Sequence, residues 1–166
     1  MAYLVGVPLL VFMAILQSTL MSHLELLNGR ADLVLLAVVS WGLAGRNEEA
    51  MVWGVIGGFS LDLLSGMPFG GTALILLFVA FLVSLLGGRF WEAHLLMPLG
   101  VMLLASLAYH VLATVVALLI GQDLSLPYVL ARIVLPSTFL NVVISLPASQ
   151  LATALRDRLY PQEVEI

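Results

Sequence analysis

Apolar runs follow one another from Ala2 to Leu155, interrupted only by clusters of a few polar residues. Such a chain cannot cover a water-facing surface. Only 10% of its 166 residues are charged, whereas soluble domains carry roughly 25%. Each membrane-spanning helix takes about 20 mostly apolar residues. The pattern therefore predicts an all-α fold: one polytopic integral membrane helical bundle, with about six transmembrane helices and short loops. The expected helices cover about 2–21, 26–44, 50–64, 71–86, 95–120 and 128–155.

Polar punctuation places these limits. Ser22, His23 and Glu25 close the first run, which lacks a basic leader and is read as a retained helix. Leu33 to Ala44 is short for a span and is expected to recruit residues from Leu26 onward, putting Arg30 and Asp32 at headgroup level. If it does not, five spans remain instead of six. The last stretch contains Pro127, Pro136 and Pro147. It is either one kinked, tilted helix or a short surface helix followed by a span from Pro136. Phe90 and Trp91 beside Arg89 and Glu92 have the composition of an interfacial aromatic belt. With six spans, one side holds both termini with Arg46, Arg89, Arg156 and Arg158, and the other holds Arg30 and Arg132. The positive-inside rule then predicts cytoplasmic termini.

Composition also excludes function classes. A net charge of −4 without basic runs argues against nucleic-acid binding. No cysteine is present, so thiolate metal sites and cysteine nucleophiles are ruled out. His23, His94 and His110 fall at different depths, and no metal site or cofactor is expected. The chain has no Gly-x-Ser-x-Gly elbow and no lysine for a phosphate-cradling loop. Asp62 is the carboxylate expected within the hydrocarbon, and an aspartyl hydrolase needs two sharing a site. The chain is read as non-enzymatic.

The most informative stretch is Gly54 to Gly71, GVIGGFSLDLLSGMPFGG. Gly54, Gly58 and Asp62 recur every four residues and share a helix face. Together with Gly57 they offer a close-approach surface, either for another helix of this chain or for a partner's helix. Asp62 has two structural readings. It pairs with Arg132 at similar depth, or it caps the adjoining turn through the amides around Ser65 and Gly66. His110, near the middle of the fifth helix, is expected as a hydrogen-bonded packing residue, with a proton-relay or ligand role as its alternative, and Asn141 as an interhelical hydrogen-bonding group.

Arg30-Ala31-Asp32-Leu33, followed by GVIGGFSLDLLSGMPFGGTAL and by Asn141 and Pro147 in the last helix, resembles the rod shape-determining protein MreD family. Relatives often carry proline where Ala31 stands, which implies a less rigid turn here. The resemblance implies a non-enzymatic, multi-pass protein of the bacterial inner membrane, acting in cell elongation and lateral peptidoglycan synthesis. It implies MreC as partner through its transmembrane helix. MreB, RodA and a penicillin-binding transpeptidase would belong to the same assembly, within membrane lipid. It also implies a fold similar to the S-components of energy-coupling-factor transporters. The rival expectation is accordingly a small-molecule-binding transporter subunit, with Asp62, Tyr109, His110, Arg132 and Asn141 lining its pocket.

Overall fold

The computed structural model describes residues 2–19, 29–86 and 96–161. These form six helices: α1 (Ala2–Thr19), α2 (Leu33–Leu43), α3 (Asn47–Leu64), α4 (Gly71–Leu86), α5 (Met97–Leu119) and α6 (Leu126–Leu159). The fold is an all-α bundle, and α5 and α6 are each long and apolar enough to cross a membrane. The aromatic cluster at Phe90 and Trp91, together with His23 and His94, lies outside the described residues.

Helix α2 is the centre of the bundle. It touches α1, α3, α4, α5 and α6, and nine of its 11 residues are buried. A helix apolar on every side is stable only when surrounded, and Val34, Leu35, Val38, Val39 and Trp41 supply that apolar cylinder. Eleven residues measure about 16 Å, only half of a hydrocarbon core roughly 30 Å thick. The expected start near residue 26 is therefore corrected: the helix begins at Leu33, and residues 29–32 run non-helically beside α6. Such backbone survives at membrane depth only when protein satisfies its polar groups. Ser137 Oγ accepts the Arg30 N–H at 3.0 Å, Asn141 Oδ1 accepts that of Asp32 at 2.9 Å, and Gln17 Oε1 accepts that of Val34 at 3.0 Å.

Of the two readings of the last stretch, the structure adopts the continuous helix. A π-helical turn at Leu130–Val134 precedes Pro136 within α6. Proline's ring crowds the carbonyl four residues earlier, and a widened π turn is one way a helix accommodates that.

Two contacts fix the relative ends. Gly6 lies where a Cβ would stand 2.5 Å from the Trp53 indole, and the Tyr160 hydroxyl donates to Glu49 Oε1 at 2.6 Å. Both ends of the described chain therefore pack beside the first two turns of α3, while the α3–α4 turn lies at the far end of that helix.

Candidate functional site

The bundle interior holds a polar centre around Asp32, the one member of it expected at headgroup level. Asp32 is buried, as are Ser106, His110, Thr138 and Asn141. Asn141 grips Asp32 twice: it accepts the Asp32 N–H, and its Nδ2 donates to Asp32 Oδ2 at 2.7 Å. The same Nδ2 donates to Ser106 Oγ at 3.0 Å, and the Ser106 hydroxyl donates to Thr138 Oγ1 at 3.3 Å. His110 Nε2 stands 3.1 Å from Asp32 Oδ2, an ion-pair distance without hydrogen-bond alignment. Ser106 and His110 each lie nine residues from an end of α5, or about 13 Å along the axis. Asp32 is thus near the middle of the bundle's depth, correcting its expected headgroup position. Asn141 hydrogen-bonds Asp32 and Ser106, whereas His110 Nε2 approaches Asp32 without the hydrogen bond expected of it. One signal in the sequence pointed there: a helix that opens at Leu33 and ends by Leu43 is too short to carry Asp32 to the surface.

Asp62 is also buried, and its role is the capping of a turn, at amides other than those expected. Its carboxylate accepts the N–H groups of Gly70 at 2.8 Å, Thr72 at 3.0 Å and Ala73 at 3.4 Å. These are first-turn amides of α4 and the residue before it, which have no partner within their own helix. A carboxylate there also complements the positive end of the helix dipole. Gly70 has φ +91°, a left-handed conformation that glycine adopts without steric cost. The alternative pairing is not formed. Arg132 is exposed on the π turn, and among the described residues no ion pair joins it to Asp62.

The glycine face is filled from within the chain. A Cβ on Gly58 would stand 2.3 Å from Ala73 Cα, and one on Gly54 would stand 3.0 Å from the Leu76 carbonyl oxygen. Gly57 faces Val34 of α2, where a Cβ would meet Cγ1 at 2.5 Å. The helix that these small residues admit is therefore α4, with α2 behind it. A partner's helix has no room on that face.

A third cluster locks the end that carries the termini. Glu49 accepts from Trp41 Nε1 at 3.0 Å and from the Tyr160 hydroxyl, and it pairs with Arg46. The Arg46 guanidinium lies 3.8 Å from the centre of the Tyr160 ring, and Arg156 donates to the Ala44 carbonyl at 3.0 Å. Trp41 stacks on Trp53 with centroids 4.5 Å apart. Burial pushes the Glu49 carboxyl up, but hydrogen bonds from Arg46, Tyr160 and Trp41 outweigh it and hold the group below its ordinary range. The folded-state value thus lies under an unfolded value of about 4.3. The cluster's contribution is complete above that value and is lost as pH falls through the folded one. Unfolding midpoints in detergent, followed from pH 7 to pH 3, should drop more steeply below about pH 4 for the wild type than for Glu49→Gln. Parallel curves would exclude this role.

A cavity of about 620 Å³ opens between α1, α2 and α6, with Trp53 of α3 in its wall. Asp62, Tyr109, His110, Arg132 and Asn141 are not among its lining residues, so this cavity is not the polar pocket expected of a transporter subunit. The interior carboxylates instead hold backbone and helices in place. Comparison with known proteins agrees with a structural reading. No curated protein and no solved structure matches the chain significantly. The sequence model for the rod shape-determining protein MreD matches residues 1–151. The chain belongs to the MreD family of rod shape-determining membrane proteins.

Proposed function

We propose that this protein is a non-enzymatic, multi-pass scaffold of the bacterial inner membrane, with cytoplasmic termini, that binds the transmembrane helix of MreC. In that reading it helps to position MreB, RodA and a penicillin-binding transpeptidase for lateral peptidoglycan synthesis. The observation that carries the proposal is the family match over residues 1–151. The disposition of polar groups supports it: Asp32 and Asp62 are engaged in holding backbone amides, which leaves binding to the outer surface. Because α4 covers the glycine face, an outward face is the better candidate for the docking helix. One candidate is the exposed row Leu74, Phe78, Phe81 and Leu85 along α4, spaced for one side of a helix.

The chain has no native cysteine, so single-cysteine variants along the outward faces of α1, α4 and α5 can be crosslinked to cysteines in the MreC span. A periodic row of crosslinks on one helix is expected, with co-purification of the two proteins. No crosslink at any position, with both proteins inserted in the membrane, would overturn the reading.

A further inference from the structure

The cavity between α1, α2 and α6 combines features that point to a particular ligand. Its wall is almost wholly apolar, including Leu9, Met13, Ala37 and Ala148. Its exception at one end is Arg158, exposed near the end of α6. From Ile144 to Arg158 the lining of α6 spans 15 residues, about 21 Å of helix from first to last. One leaflet with its headgroup layer is roughly 20 Å deep. The slot therefore has the depth of a single leaflet.

It does not continue further. Beyond the start of α2, the segment at residues 29–32 occupies the space beside α6, with Gly29 so close that a Cβ would lie 2.5 Å from the Pro136 carbonyl carbon. A transmembrane helix, about 10 Å across, needs a groove running the full depth of the bilayer. A half-depth slot suits an acyl chain. Two polar groups in the wall complete the match. Ser40 Oγ and Trp53 Nε1 are buried without a hydrogen-bond partner among the described residues, and both residues line the cavity. Ser40 lies three residues from the end of α2, about 4.5 Å inside it. That is the level at which a phospholipid carries its ester carbonyls, which are acceptors for a hydroxyl. An unsatisfied donor in an apolar wall is costly, and such a carbonyl relieves that cost.

We propose that this cavity is a binding site for an acyl chain of an anionic phospholipid from the leaflet at the terminus-bearing end, with its phosphate held by Arg158. The site requires no protein partner, so it stands or falls separately from MreC binding.

The test uses the full chain, purified alone in mild detergent and loaded with phosphatidylglycerol or phosphatidylcholine for native mass spectrometry. Phosphatidylglycerol should be retained in preference, and Arg158→Gln should reduce that preference about fivefold, the weight of one basic side chain at an anionic surface. Ala148→Trp should abolish retention by filling the slot. Because that variant could also disturb folding, the wild type is labelled in parallel with phosphatidylglycerol bearing a photoreactive acyl chain. Labels concentrated on α1, α2 and α6 around Met13, Ala37 and Ala148 support the site. Equal retention of the two lipids overturns the proposal, as do labels spread evenly over the outward faces of α4 and α5, or crosslinks from Ala148 to a protein partner in native membranes.

Discussion

Replacing Asn141 with leucine should destabilise the protein by about 2–3 kcal/mol, the upper part of the range for leaving buried hydrogen-bonding groups without a partner. The side chain supplies an acceptor to the Asp32 N–H and donors to Asp32 Oδ2 and Ser106 Oγ. Without it, a carboxylate and a backbone amide are left unsatisfied in the bundle interior, where water cannot replace the lost bonds. Interhelical hydrogen bonds in membranes are often individually weak. The large effect expected here arises because the partners left behind are an ionisable group and an amide outside any helix. The measurement is the unfolding midpoint in detergent. Asn141→Leu should fall well below the wild type, and the double variant Asp32→Leu/Asn141→Leu should recover part of the loss, since no buried carboxyl is then left without its amide partner. A single variant within about 0.5 kcal/mol of wild type, as for an ordinary surface site, would show that the network holds nothing.

Gly58→Leu is the second large effect, and its expected result differs from that of a docking-site change. The new Cβ would stand 2.3 Å from Ala73 Cα and 2.6 Å from Ala73 N, both backbone atoms. Ala73 cannot yield locally, because its N–H and that of Thr72 are held by Asp62. Helices α3 and α4 would have to separate along their contact, at a cost toward the upper end of the about 1–3 kcal/mol typical of overpacked cores. The variant should accumulate poorly and lose thermal stability when expressed without MreC. Gly100→Ala is the control, since nothing lies within 4 Å of its Cβ position. It should be neutral or slightly stabilising, because alanine loses less backbone entropy in a helix. If Gly58→Leu kept full stability and lost only MreC, the glycine face would have to belong to the partner.

Much of this architecture was legible in the linear chain. The all-α membrane class follows from apolar runs and scarce charge. The runs at Gly71–Leu86 and Met97–Leu119 appear within two residues of their expected limits. The Gly54–Gly58–Asp62 spacing announced a close helix contact ending in a satisfied carboxylate. Its owner was not legible, because a small-residue stripe is the same whether the approaching helix comes from this chain or another. Asp32 was misplaced for a related reason. Lengthening α2 toward residue 26 gave it a spanning length, whereas the protein leaves it half-length and surrounds it with five other helices.

The sequence by itself determined the class of fold, the approximate helices and which polar residues would need partners, because hydropathy, helix rise and the cost of burying charge act locally along the chain. Only the tertiary structure decided the pairings: Asp32 with Asn141, Asp62 with the first turn of α4, and the glycine face with α4 rather than a partner. Each buried polar group needs a partner, and several residues could serve equally well in chemistry. The choice falls to whichever group the packing of whole helices brings within about 3 Å, a hydrogen-bond distance, and that packing joins residues as far apart in the chain as Asp32 and Asn141.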